Sequence, residues 1–306
     1  MTDSQDEVGL QRKSRNPVKK LRERKSAAVT AQPAKAALAS DNGSSPSQPE
    51  ALRKLYASLL RCRLVEERVR ELASANSGAA PYDPGIGREA IVVGATADLG
   101  SGDTVTASPR HLAARIARGE PIRTLLADPA NARPSSLAAV PEDPFNLGTG
   151  LALAHKLEQK RHVVVAFCPC QKPRLEDWHD ALKFAAVHKL PIVFVIENGI
   201  AAETPGEVVA PHLEPLSFLA RDYGFPGILV DGNDTVAVWR VAQESIHRAR
   251  NGSGPTLIDC RTDSPHDPLA HMEHYLSKRS FWEDNWRQQV ERQIRAEIEQ
   301  PVDRAK

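Results

Sequence analysis

Apolar and polar positions along this chain follow two periods, one helical and one of short unbroken runs. Leu52, Leu55, Leu59, Val65, Val69 and Leu72 recur at helical spacing, which predicts an amphipathic helix over residues 50–74. A second helix is expected from about Gly87 through EAIVVGATADLG, whose small residues allow another backbone to approach closely. GDTVTAS (102–108) reads as a short strand and HLAARIARG (111–119) as a helix ended by Gly119. Residues 127–144 hold prolines and asparagines with little periodicity and read as a loop. Beyond them a regular alternation begins. NLGTGLALAHKLEQ is helical, HVVVAF (162–167) a strand, DWHDALKFAAVHK a helix and PIVFVIE (191–197) a strand. Residues 215–223 form a short helix, GILVDG (227–232) a strand, TVAVWRVAQESIHRAR a helix and PTLIDC (255–260) a strand. Two helices, near 268–278 and 280–300, complete the pattern. Strands without polar alternation, separated by helices, specify an α/β fold: a parallel sheet covered by helices on both faces.

Residues 1–49 stand apart from this pattern and end in the low-complexity stretch AALASDNGSSPSQPE. Such a segment cannot bury enough apolar surface to offset its ordering entropy, so a disordered basic tail is expected, followed by one domain over 50–300. RKSRNPVKKLRERK (12–25) holds eight basic residues and one acid. It reads as a solvated tail, with contact to an acidic surface or nucleic acid as the alternative. For the chain as a whole, 41% apolar and 26% charged residues with a net charge of +1 give no global reason to expect nucleic acid or a membrane surface as partner. No apolar run approaches the ~20 residues that span a bilayer. The start, MTDSQDEVG, has neither a basic nor an apolar signal region. Four cysteines are a poor disulfide framework at this length, which points to a reducing cytoplasm.

The order of segments resembles one family throughout. LYASLLRCRLVEERVREL, GIGREAIVVGATADLGSGD, HDALKFAAVHKLPIVFVIEN, VDGNDTVAVWRVAQESIHRARNGSGPTLID and YLSKRSFWEDNW are similar, in this order, to the α subunit of the dehydrogenase component of 2-oxo acid (pyruvate and branched-chain) dehydrogenase complexes. The resemblance implies a thiamine diphosphate-binding fold and a heterotetramer with a β-type subunit; a homodimer is the other arrangement. It also implies thiamine diphosphate and Mg²⁺ as cofactors where the family function is retained.

The resemblance further implies a metal motif of Gly-Asp-Gly after one strand and Asn-Asn at the end of the next. Anchored on WHDALKFAA, Pro169-Cys170-Gln171 stands where Gly-Asp-Gly is expected, so a thiol replaces the ligating carboxylate. Mg²⁺ demands hard oxygen ligands, and a protonated thiol is a poor match. Glu197 and Asn198 are kept, but Gly199 stands at the second, ligating Asn. Arg110 matches the family's diphosphate-contacting arginine, with Pro109 in place of its tyrosine partner. Leu112 replaces a family histidine, and His111, one residue early, is expected to point elsewhere on a helix. The family's Gly-rich Ser-Met-His segment is missing between 128 and 151, and DSPHDP after residue 262 replaces a His- and Ser-bearing loop.

These losses lead to the expectation of a catalytically degenerate homologue acting as a scaffold or regulatory subunit, with no cofactor bound by this chain alone. An active α subunit that decarboxylates a 2-oxo acid and passes the acyl group to a lipoyl disulfide is the alternative; a different small-molecule binder in the vacated cleft is a third reading. Arg110 and Asn198 are the candidate cofactor-binding residues, and no catalytic or metal-ligating residue is expected. Cys168 and Cys170 read as inert turn thiols, with redox sensitivity and soft-metal binding as the other options. Cys62 and Cys260 are expected in the core, His266 in solvent, and Tyr275, Leu276, Phe281, Trp282 and Trp286 as an intramolecular cluster.

Overall fold

The apolar runs VVAF, IVFVI and TLIDC form the middle of a six-stranded, wholly parallel sheet in the computed structural model, in the order β2-β1-β3-β4-β8-β7. The strands are β1 (Thr104–Ala107), β2 (Leu137–Ala139), β3 (Val164–Pro169), β4 (Ile192–Gly199), β7 (Gly227–Asp231) and β8 (Thr256–Thr262). A separate antiparallel pair joins β5 (Ala201–Thr204) to β6 (Glu207–Val209). The structure describes residues 48–75, 85–108, 111–127, 137–139, 144–169, 175–199, 201–204, 207–209, 215–262 and 266–300. The basic N-terminal segment lies outside the described residues.

The inner strands β3, β4 and β8 bury both faces, which is why none of them alternates, while β7 at the edge leaves Leu229 exposed. Val105, Val165, Phe167, Val193, Val195, Ile258 and Cys260 face one core. That core is closed by α1 (Gln48–Ala75), α2 (Glu89–Thr96), α3 (Leu112–Ala117), α4 (Ile122–Ala127), α8 (Thr235–Arg250), α9 (Pro268–Lys278) and α10 (Asp284–Ile298). Val164, Ala166, Ile192, Phe194, Ile196 and Leu257 face the other, covered by α5 (Pro144–Leu157), α6 (Leu175–Val187) and α7 (Leu219–Asp222). The parallel sheet with helices on both faces is the architecture the hydrophobic pattern specified.

The small residues of α2 do what their size suggested. A Cβ on Gly94 would lie 2.9 Å from Val238 and 3.0 Å from the Thr235 carbonyl, so α2 and α8 pack backbone to side chain with no space between them. The aromatic cluster is intramolecular. Tyr56, fully buried on α1, meets the Trp282 ring edge-on at 5.1 Å and the Trp286 ring at 5.5 Å. Cys62 and Cys260 are buried and unbridged.

Three local readings differ from the sequence expectation. The span read as a loop contains β2, three residues paired in parallel with β1, too short to show a period. The strand expected to end at Phe167 continues through Cys168 and Pro169, paired with Ile196 and Glu197. Pro169 is tolerated because the pairing of β1 with β3 stops at Ala166, so no ladder donor is needed there. The β5–β6 hairpin was not foreseen, although Pro205-Gly206 between AAET and EVV is a turn signal.

Trp282 and Trp286 tie α10 to α1, so replacing Trp282 with alanine is expected to cost about 2–3 kcal/mol of stability. Urea unfolding measures this; a loss below about 0.5 kcal/mol would contradict an intramolecular role.

Candidate functional site

In an open parallel sheet the ligand crevice lies beyond the carboxyl ends of the strands, where the chain's order of travel reverses. Here β1 is followed by β2 on one side and has β3 on the other, which puts that point between β1 and β3. The residues at this edge are those just after β1, at the end of β3, and at the ends of β4 and β8.

His111, at the N-cap of α3, is buried. Its Nδ1 accepts from the Ala114 N–H at 3.4 Å, and its Nε2 lies 3.0 Å from Glu197 Oε1 at the end of β4. Its ring passes over Phe167 of β3 at 5.8 Å, so one side chain spans from β1 to β4. The expectation that His111 points elsewhere is corrected here: the capping position turns the imidazole inward. Arg88, also buried, brings Nη1 to 3.6 Å from Glu197 Oε2. Burial pushes the Glu197 carboxyl up, but His111 and Arg88 outweigh it and hold it at about 2.

A second buried carboxylate lies behind this cluster. Glu66 of α1 accepts the Gly85 N–H through Oε2 at 2.6 Å, and its Oε1 has no hydrogen-bond partner among the described residues. Burial pushes Glu66 up to about 8; Glu89 adds to this, while the Gly85 N–H, His111 and Arg88 oppose it. Glu89 in turn accepts from Arg63 at 2.6 Å and from the Gly87 N–H at 2.7 Å.

Asn198 faces the opposite side of the sheet. It is fully buried and donates through Nδ2 to Asp259 Oδ1 at 3.1 Å. Asp259 Oδ2 accepts from the Leu216 and Ser217 N–H groups at 2.6 and 3.3 Å. Asn198 therefore joins β4 to β8 and to the turn before α7. Arg110, Pro109, Cys170 and Gln171 lie outside the described residues, so the structure places one of the two candidate cofactor residues, Asn198. Cys168 packs beside the α6-side core, and His266 is exposed.

Gly199 is held against β8 so tightly that a Cβ there would overlap Thr262 Oγ1 and come within 2.9 Å of Thr262 Cβ. The other branch of Thr262 does the same to Gly232, which follows β7: a Cβ on Gly232 would lie 2.8 Å from Thr262 Cγ2. A β-branched residue carries heavy atoms in two directions at once, so rotating χ1 cannot free both positions. Position 199 thus has no side-chain oxygen, and the space for one is filled. Among the described residues no group of three or more His, Cys, Asp or Glu side chains is placed to hold a metal ion. A cleft of about 450 Å³ lies elsewhere, lined by Arg61, Cys62, Gly119, Glu120 and Glu297, and shares no residue with the strand-end cluster.

Comparison with known proteins identifies relatives of this chain. The family model described as "Dehydrogenase E1 component" matches residues 135–264. The alpha subunit of acetoin:2,6-dichlorophenolindophenol oxidoreductase from Bacillus subtilis is 34% identical over 230 residues, covering 68% of each chain. The chain belongs to the dehydrogenase E1 component family, as an alpha-type subunit. The pyruvate dehydrogenase E1 alpha subunit of Acholeplasma laidlawii is 26% identical over 251 residues, 71% of this chain and 73% of that one. The 3-methyl-2-oxobutanoate dehydrogenase alpha subunit of Mycobacterium tuberculosis is 29% identical over 294 residues, 83% of this chain and 78% of that one. Among solved structures, a thiamin diphosphate-dependent enzyme from Mycobacterium smegmatis aligns with a TM-score of 0.40 at 20% identity, over 60% of this chain and 33% of that chain. No helix among the described residues of this E1 alpha-type chain is long and apolar enough to cross a membrane.

The cofactor expected from the resemblance to this family is thiamine diphosphate with Mg²⁺. A magnesium–diphosphate group needs hard oxygen donors of fixed geometry. At the end of β4 the described residues offer Gly199 without a side-chain donor, Asn198 turned to Asp259, and Glu197 turned to His111 and Arg88. These three positions do not fit the metal.

Two outcomes follow. Gly199→Asn should cost about 3 kcal/mol through overpacking, and Thr262→Gly should relieve it, so a double-mutant cycle reads a favourable coupling of at least about 1 kcal/mol. Strict additivity would contradict the steric closure. The Glu66 value in the fold lies above the ordinary 4.5, so its stabilising preference for the proton is complete below about pH 4.5 and is lost as pH rises toward about 8. At full linkage stability falls by about 1.4 kcal/mol per pH unit in that window. Glu66→Gln keeps the neutral form at every pH and should flatten the slope in unfolding titrations from about pH 5 to pH 8. An unchanged slope would contradict a protonated Glu66.

Proposed function

We propose that this E1 alpha-type chain is a catalytically silent subunit, a scaffold or regulator that keeps the family's fold and its surface for a β-type partner in a heterotetramer, with a homodimer as the other assembly. The observation that carries this reading is the side chain of Thr262 in the space a residue at 199 would need. The buried Glu197–His111–Arg88 cluster supports it, because the polar groups at the end of β4 are already engaged with one another and not with a ligand. Cys170 at the position of the family's ligating Asp supports it from the sequence side.

Within this reading Arg110 and Asn198 are what remains of a diphosphate grip. Asn198 has its amide engaged by Asp259, which leaves Arg110 as the candidate diphosphate contact, and a single arginine is too little to hold the cofactor without its metal. A reducing cytoplasm suits the free thiols Cys62 and Cys260. A second reading, an active oxidoreductase subunit, is favoured by the 34% identity to a chain named as part of an acetoin oxidoreductase. It requires the cofactor to be fixed by residues other than those at the end of β4.

Titration calorimetry of the full chain with thiamine diphosphate and Mg²⁺, alone and with a β-type subunit, separates the two. The silent reading expects no heat of binding up to about 1 mM cofactor, together with co-elution of the two subunits on size exclusion. Magnesium-dependent micromolar binding would overturn it.

A further inference from the structure

The opposite end of the sheet, where β3, β4 and β8 begin, carries a concentration of cations. The segments 155–163, 187–191 and 247–256 enter these strands from α5, α6 and α8. Together they hold Lys156, Lys160, Arg161, Lys189, Arg248 and Arg250 with four histidines, against one carboxylate, Glu158. The segments form one continuous face. Lys156 Nζ donates to the His188 carbonyl, Arg161 Nη2 donates to Asn251 Oδ1 at 2.7 Å, and Arg250 Nε donates to the Arg161 carbonyl at 3.2 Å. Glu158 is held by Lys160, and Arg250 by buried Asp103. Among the described residues no carboxylate pairs with Lys156, Arg161, Lys189 or Arg248. The whole chain has a net charge of only +1, so this is local segregation of charge.

Basic residues in the last turn of a helix are ordinary complements of its dipole. That accounts for Lys156 and Arg248, but Lys160, Arg161 and Lys189 lie beyond the helix ends. Two further observations fall outside it. The face exposes two large aliphatic side chains, Leu157 at 74% and Val187 at 70%, with Phe184 at 41% beside the ring of His188. In addition, α6 ends through Lys189 at φ 45°, the left-handed position where glycine is the favoured occupant. The Leu190 N–H closes that turn on the Ala185 carbonyl at 3.0 Å. A lysine is kept there against its backbone preference.

We infer that this face docks a segment of a partner protein that carries Asp or Glu side chains together with large apolar ones. The cations supply long-range attraction and orientation, and Leu157 and Val187 supply the apolar contact. The two most exposed apolar side chains of the face, Leu157 and Val187, are aliphatic, and Phe184 is already packed on the His188 ring, which favours a polypeptide over nucleic acid, whose bases stack on rings. The face lies at the far edge of the sheet from the cofactor end, so the inference stands apart from the proposed function.

The test is fluorescence anisotropy of the full chain with a labelled peptide of about twenty residues built from Glu and Leu on opposite helix faces. A Glu/Gly peptide and a DNA duplex of about twenty base pairs serve as comparisons. The Glu/Leu peptide is expected to bind most tightly, and to weaken about tenfold when Arg161 and Lys189 are both changed to Glu. Leu157→Ser with Val187→Ser should weaken it about fivefold and leave the Glu/Gly peptide unaffected. Lys189→Gly, which relieves the left-handed turn, should raise Tm while weakening the peptide, a pairing that a structural role does not produce. No binding, equal binding of the two peptides, tighter binding of the duplex, or indifference to the charge reversals would each overturn the inference.

Discussion

The arrangement at the carboxyl end of the sheet depends on one steric fact: Thr262 sends its two branches toward two neighbouring strands, and both neighbours are glycine. With Gly199 on one side and Gly232 on the other, the end of β8 packs against β4 and the residue after β7 with no room for a side chain at either. Pairing of Gly199 with Thr262 continues the ladder begun at Val193 and Thr256, so the closure is part of the sheet. At most pairs of this ladder both residues carry side chains, as Glu197 and Cys260 do, but at Gly199 the Thr262 side chain occupies the place of the missing Cβ. A donor at 199 would require Thr262 to turn its hydroxyl away and β8 to yield by the few tenths of an ångström that Thr262 Cβ encroaches.

Electrostatics at this edge are consistent with the packing. Glu197 is a fully buried anion, and the chain supplies its partners internally from the turn before α2 and the cap of α3. Removing one partner from such a cluster costs more than the pair contributes, because the remaining charge is left in a dry interior. The carboxylate, histidine and arginine therefore hold one another in place, and the cluster binds α2, α3 and the sheet together. Glu66 and Glu89 extend the polar layer toward Arg63 and Asp267 at the surface. In this α/β scaffold the strand-end interior holds Glu197 against His111 and Arg88, while Glu66 Oε1 has no hydrogen-bond partner among the described residues.

Most of the scaffold was legible because it rests on long unbroken patterns. The runs at 164–167 and 192–196 have no polar interruption, the run at 256–260 is broken only by Asp259 after Thr256, and α8 is bounded by the Asp234 cap and the basic turn at 247–250. Elements decided by a few residues were not legible. β2 exists because β1 offers it an edge, and the extension of β3 through Pro169 depends on where β1 stops. The glycine at 199 could be read as a missing ligand, but its closure by Thr262 requires the register between β4 and β8, which no spacing reveals. His111 illustrates the same limit. Its position one residue before Leu112 suggested a side chain turned away, whereas the N-cap geometry aims it at Glu197. The exposed Leu157 and Val187 were hidden by their fit to helical periodicity, since a terminal apolar position reads the same whether covered or bare.

The most direct measurement is a crystal structure of the full chain grown with thiamine diphosphate and Mg²⁺ in excess. The account predicts Thr262 seated between Gly199 and Gly232, Glu197 engaged by His111 and Arg88, and no coenzyme density at the strand ends. An octahedral ion and ordered diphosphate beside Gly199, with Thr262 moved aside, would contradict it.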